Sequence, residues 1–195
     1  MKNAPRRKGR LQLLLIAGLF FAPVFAAIAI FFHLPRFIPE GRVNYGTLIS
    51  PARAVPQLTL VDTAGAPAPA ALRGKWSLLY LAGASCGEGC TTRLVLTRQV
   101  RLALGQNRGR VRRVYLAPTA ASAAAAKTEL AAEHPDLVII AEPDGAAARF
   151  FQPADPDALY LLDPLGNWLM VYTGTVEHKG LHRDLKKLLR VSQVG

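Results

Sequence analysis

Trp76-Ser-Leu-Leu-Tyr-Leu-Ala82 runs into Gly83-Ala-Ser-Cys86-Gly-Glu-Gly-Cys90, and Thr91 to Leu104 follows. The first stretch is a continuous apolar run bounded by Gly74 and Gly83, the pattern of a strand buried on both faces. The last has apolar residues at Leu94, Val95, Val100 and Leu102 to Leu104, which predicts a helix. A buried strand therefore feeds a helix, and both cysteines of the chain sit at the junction. Working outward, Arg113 to Ala117 is predicted as a second strand, Ser122 to Glu133 as an Ala-rich helix, Leu137 to Ala141 as a third strand and Asp144 to Phe151 as a short helix. Leu159 to Asp163 and Trp168 to Tyr172 flank Pro164-Leu165-Gly166-Asn167, a hairpin signal. Gly180 to Leu189 reads as a basic amphipathic helix. Upstream, Gln57 to Asp62 alternates like a strand, with a turn at Thr63 to Ala66 and an Ala/Pro loop at Pro67 to Leu72. Alternating βαβ units followed by a hairpin and a last helix predict an α/β domain, a mixed sheet with helices on both sides.

The two cysteines set the chemistry. The first turn of a helix presents free N–H groups and the positive end of the peptide dipole, which stabilise a thiolate. Residues four apart share a helix face, and their Cα separation of about 6 Å falls within the reach of a disulfide. The same spacing lets two thiolates hold one soft ion such as Cu(I). Glu88 between them raises the thiol pKa values. Gly87 and Gly89 are expected to keep the loop open. A purely structural bridge is the competing reading, but so short a loop removes little chain entropy from the unfolded state. Two cysteines cannot alone close a four-thiolate zinc site.

The N-terminus bears on compartment. Lys2, Arg6, Arg7, Lys8 and Arg10 place five of the eleven net positive charges in the first ten residues. Leu11 to Phe32 then carries no charge, and its 22 residues make about 33 Å of helix, enough for a hydrocarbon core of about 30 Å. Residues 11–33 are thus expected to span a membrane, with Pro23 tolerated inside. The competing reading is a cleaved signal peptide with small residues at Ala27-Ile28-Ala29, but secretory apolar regions are usually about 7 to 15 residues long. Positive-inside bias puts residues 1–10 in the cytoplasm of a bacterial cell and everything beyond His33 in the oxidising periplasm, on a single-pass inner-membrane anchor. Residues 34–56, with Pro35, Pro39, Pro51 and Pro56, suit a stiff tether. The folded domain is expected over residues 57–195.

The whole chain has 195 residues, 24 Lys+Arg against 13 Asp+Glu and 51% apolar content. That fits one packed domain plus an anchor and excludes both a disordered chain and a multidomain enzyme. Arg108, Arg110, Arg112 and Arg113, and Lys179, Arg183, Lys186, Lys187 and Arg190, read as solvated faces of an exported domain rather than a nucleic-acid surface. His178 and His182 are four apart, a spacing that can bind metal, but Lys179 and Arg183 beside them favour plain surface. His134, before Pro135, is expected to be solvated. The sequence contains no Gly-rich phosphate loop, GxSxG elbow or HExxH helix.

Gly74-Lys75-Trp76, Cys86-Gly-Glu-Gly-Cys90 and Tyr160-Leu-Leu-Asp-Pro-Leu-Gly166, with an aromatic strand end at Tyr172, give Leu58 to Leu189 a resemblance to the Sco/SenC family. The resemblance implies a thioredoxin-like fold on a membrane anchor, and Cu(I) delivery to, or thiol reduction of, the dinuclear copper site of cytochrome c oxidase. The implied partner is an oxidase subunit or another periplasmic thiol protein. It further implies thiol–disulfide oxidoreductase chemistry at Cys86 and Cys90, with Cys86 attacking and Cys90 resolving. The same pair would serve as Cu(I) ligands. The chain departs from the family at one place: five residues before Tyr160, where the family has a ligand histidine, it has Asp155, a hard donor poorly matched to Cu(I). Pro156 is a candidate for the cis-proline that faces the cysteines in thioredoxin folds. The alternative reading is a non-enzymatic adaptor or assembly factor that has lost the metal site.

Overall fold

The computed structural model describes residues 5–33 and 44–192, which belong to two compact units divided between Val43 and Asn44. In the first, helix α1 (Pro5–His33) holds Pro23 in its interior without breaking. Gly9–Ile30 within it is long and apolar enough to cross a membrane, and none of that window is buried inside the protein. Its exposed Leu13, Leu19, Phe20 and Phe25 suit a lipid environment better than water. Residues 34–43 of the expected tether lie outside the described residues.

The second unit is built on six strands: β1 (Thr47–Ala54), β2 (Trp76–Leu81), β3 (Val111–Ala117), β4 (Leu137–Ala141), β5 (Leu159–Leu162) and β6 (Asn167–Tyr172). Their order across the sheet is β1-β6-β5-β2-β3-β4. β2, β3 and β4 run parallel, and β5, β6 and β1 are added antiparallel. The helices are α2 (Glu88–Ala103), α3 (Ala120–Leu130), α4 (Ala146–Phe151) and α5 (His178–Val191), with a 3-10 turn at Gly105–Arg110. Strand alternation sorts the core. Trp76, Leu78 and Tyr80 point to the face packed by α2, α3 and α5, where Leu94, Val100, Ala123, Leu181 and Leu185 meet them. Leu79, Val114, Leu116, Tyr160 and Leu162 point to the other face, covered by α4 and by Val55, Leu58, Leu60 and Leu72. The expected mixed sheet with helices on both sides is present, and β2 is buried as predicted.

Two expectations upstream of β2 are corrected. Thr47–Ala54, placed in the tether, is a strand that pairs antiparallel with β6. It is an edge strand whose side chains are mostly exposed, so it needs no apolar alternation. Pro51 sits where its register slips between Leu48 and Arg53, the kind of place a sheet admits proline. Conversely, Gln57 to Asp62 is not a ladder strand. Val61 makes isolated bridges to Pro67 and Ala141, donating to and accepting from Ala141 at 3.0 and 2.8 Å. Asp62 Oδ1 then accepts from Ala64 and Ala66 N–H and turns the chain. The alternation of Leu58 and Leu60 reflects their covering the sheet rather than extending it. Helix α3 starts earlier than Ser122 because Thr119 and Ser122 form a reciprocal capping box.

Candidate functional site

β2 delivers the chain to the sheet's edge, where Ala82 N–H still donates to Leu116 at 2.9 Å. The loop then turns into α2 with Gly87 at the N-cap, where no side chain caps the free N–H groups. Cys86 and Cys90 form a disulfide across this start, their Cα atoms 5.2 Å apart. Cys90 lies in the first turn and is 3% exposed, packed with Tyr80, Leu94 and Tyr115. Cys86 is partly exposed. Its sulfur lies 3.9 Å from the Thr91 hydroxyl, which itself donates to Gly87 O at 3.2 Å. Cys86 is therefore the more accessible of the two, and Cys90 belongs to the core.

The glycines around the pair differ. A Cβ at Gly87 would meet nothing, as expected of an open loop, but one at Gly89 would overlap the carboxylate of Asp157. Gly89 is needed for close approach, not for openness. Asp157 Oδ1 accepts the Tyr80 hydroxyl at 2.9 Å. The Tyr80 phenol is pushed well above its ordinary value, first by burial and then by that carboxylate. Arg93 clamps the loop, donating through Nε to Asp157 O at 2.7 Å and through Nη2 to Gly174 O. Asp157 escaped the sequence reading. No local pattern marked it, because Gly89 and Asp157 meet only in the fold.

Asp155, five residues before Tyr160, has both oxygens engaged. Oδ1 accepts Asp157 N–H at 2.9 Å and Oδ2 accepts Gly174 N–H at 2.7 Å. These bonds hold its carboxyl below the ordinary carboxylate value. The Asp155–Pro156 peptide is trans, since among the described residues the cis bond is Ser50–Pro51. His178 and His182 stack on one face of α5, ring centroids 6.1 Å apart. Among the described residues no three His, Cys, Asp or Glu side chains gather as a metal site. The donors therefore do not fit a copper centre of two thiolates and a third side chain.

His134 is corrected from solvated to buried, at 2% exposure. Its Nδ1 is 3.4 Å from Arg113 Nη2, and its Nε2 has no hydrogen-bond partner. Burial, then the Arg113 charge, lowers its pKa. Arg113 is corrected too. It is 1% exposed, pairs with Asp136 at 2.8 Å and donates to Thr97 Oγ1 and Leu94 O. Desolvation brings its pKa down to about 10 against the opposing pull of Asp136. Arg112 holds Ala71 O and Arg73 O, and Arg110 holds Leu189 O and Ser192 O at the end of α5. These arginines find internal carbonyls because strand alternation and the 3-10 turn aim them inward. Lys179, Arg183, Lys186, Lys187 and Arg190 are exposed as expected.

Residues 76–192 match the family described as transmembrane-like, thioredoxin-like, C-terminal domain. No curated protein matches the chain in sequence. Among solved structures, yeast Sco1 with copper bound aligns with TM-score 0.60 at 18% identity, over 71% of this chain and 94% of that one. Arabidopsis thaliana ScoI with copper bound gives 0.56 at 21% identity, over 69% and 97%. MTB DsbF in mixed oxidised and reduced forms gives 0.51 at 22%, over 69% and 99%. At these identities the likeness is one of fold.

Proposed function

Because the chain belongs to the family of transmembrane-like, thioredoxin-like C-terminal domains, we propose that it is a membrane-anchored, periplasm-facing thiol–disulfide protein of the Sco kind, serving cytochrome c oxidase assembly. The observation that carries this reading is the Cys86–Cys90 disulfide, closed across an uncapped helix start between a half-buried and a buried cysteine. The five cations ahead of α1 support export of the domain.

In the reduced form, the Cys86 thiolate attacks one sulfur of the partner's disulfide, and the partner's other sulfur leaves and takes a proton. The Cys90 thiolate then attacks Cys86 Sγ and expels the second partner sulfur, which is protonated in turn. Two electrons pass to the partner and the Cys86–Cys90 bond reforms. The N-terminus of α2 favours both thiolates. Glu88 and the Asp157 carboxylate against Gly89 oppose them. Thiolates that the two carboxylates destabilise beyond what the helix start returns favour the disulfide, and the pair is proposed to serve as a reductant on that ground.

Redox titration of the full chain in detergent should give a two-electron midpoint nearer about −270 mV than about −120 mV. Thiols that do not interconvert with a disulfide anywhere in that span would refute the reading. Copper is cargo in this scheme. Two thiolates are suitable soft donors for one Cu(I), but Asp155 is committed to two backbone N–H groups, and no step here runs through metal. That commitment favours a second reading, an assembly adaptor without metal. Under it, a Cys86→Ser, Cys90→Ser variant would still support oxidase assembly in cells, whereas the thiol mechanism requires that it fail.

A further inference from the structure

A cleft of about 230 Å³ opens at the C-terminal edge of β2 and β3, lined by Leu81, Gly83, Leu116, Ala147, Pro156 and Glu142 among others. Two of its lining residues lie in the loops that border the disulfide. Gly83 begins the loop that carries Cys86, and Pro156 precedes the Asp157 that packs on Gly89. Small-molecule pockets usually measure about 300 to 1,000 Å³, so this one has room for a side chain rather than a cofactor. Its walls are Leu, Ala and Pro with one charge, Glu142, which is 4% exposed. The oxygens of Glu142 accept Asp144 N–H at 3.0 Å and Ala147 N–H at 2.9 Å. Each carboxylate oxygen can take a second donor. No cation pairs with Glu142 among the described residues, where the ion pairs are those of Asp136. A buried carboxylate without a counter-charge is costly, and a cation entering the cleft would be matched to it.

We propose that this cleft is a subsite for a lysine side chain of the partner protein, its aliphatic stem against Leu81, Leu116 and Ala147 and its ammonium on Glu142. The inference rests on the thiol-exchange reading for its purpose, since a lysine near the partner's cysteines would hold them at Cys86. It runs against the general field of the chain, which is net positive and would by itself attract acidic partners. Preference for a cation is therefore diagnostic of the cleft.

Two readouts on the full chain in neutral detergent separate the subsite from the redox reading. The first is methyl NMR of Leu81, Leu116 and Ala147 with n-pentylammonium, pentan-1-ol and pentanoate as probes. Pentylammonium should shift these methyls at a concentration about tenfold lower than pentanol, the factor a hydrogen bond to a charged group carries. Pentanoate should not shift them. Glu142→Gln should abolish the difference between amine and alcohol. Ala148→Leu, which narrows the cleft from α4 while leaving the Glu142 bonds in place, should weaken both. Equal binding of amine and alcohol, or an amine preference that survives Glu142→Gln, overturns the subsite. The second readout is the rate at which short cysteine peptides open the Cys86–Cys90 bond. A peptide with lysine near its cysteine should react faster than its glutamate counterpart, and Ala148→Leu should remove the advantage. Amine binding with equal peptide rates overturns the docking role. Failure of every peptide to open the bond, with amine binding intact, refutes the redox reading instead.

Discussion

The two ends of α2 hold polar chemistry on opposite terms. At its start, Cys86 has a long side-chain contact of 3.9 Å to the Thr91 hydroxyl, Gly87 offers no side-chain cap, and Gly87 and Glu88 are exposed. Along its second half, Thr97 and Arg101 join Arg113, His134 and Asp136 in a cluster in which Arg113 alone makes three hydrogen bonds of 2.7 to 3.0 Å to Thr97, Asp136 and Leu94. Arg113 and Asp136, bonded on several sides, have little freedom to exchange partners, whereas a sulfur at a sparsely bonded helix start can be attacked without dismantling anything. The cluster anchors the helix so that its other end can react.

The sharpest way to break that contrast is Arg113→Met. It leaves Asp136 with Arg101 alone, at 3.1 Å, and takes one of two side-chain donors from Leu94 O, which keeps the Thr97 hydroxyl at 3.1 Å. Removing one partner of a buried pair costs about 3 to 5 kcal/mol, and the partial exposure of Asp136 puts the expected loss near about 3 kcal/mol. Urea unfolding of the oxidised protein measures it, while the redox midpoint should stay in place. A loss under about 1 kcal/mol would mean that the cluster is not the anchor. Gly89→Ala tests the other end with a smaller effect. The added Cβ must displace the Asp157 carboxylate and break its bond to Tyr80, at about 1 to 3 kcal/mol, and the midpoint should move. In combination with Asp157→Ala the cost should fall well short of the sum of the single changes. Strict additivity would show that the overlap is relieved some other way.

The smallest expected effect is one of pH. His134 has a folded pKa below its ordinary 6.5, so between those two values the unfolded chain binds more protons than the folded one. Stability contributed by the neutral imidazole is full above 6.5 and declines as pH falls through that window, levelling off below the folded pKa. His134→Gln should flatten this part of the stability profile, and an unchanged slope in the variant would assign it elsewhere.

Much of the candidate site was legible. The apolar run at Trp76 and the cysteine spacing placed the thiols at a strand-to-helix junction, because burial on both faces and helix periodicity are local signals. Asp157 was not legible, since its role depends on a loop distant in sequence closing on Gly89. His134 and Arg113 misled for a related reason. A basic residue's exposure follows from whether internal carbonyls and carboxylates lie within reach, which one-dimensional charge does not report. Strand β1 hid because an exposed edge pairs through backbone atoms alone.

Sequence by itself determined the apolar N-terminal helix, the βαβ order, the hairpin and the pairing partners of sulfur, all consequences of periodicity, composition or short spacing. Tertiary structure alone decided that the chain before Gln57 adds a strand to the sheet and that Asp155 spends its oxygens on the backbone of Asp157 and Gly174. It also put a lone carboxylate, Glu142, in an apolar cleft bordered by Gly83 and Pro156. Each of these depends on which distant backbone N–H groups and side chains the fold brings within about 3 Å, the range over which hydrogen bonds act.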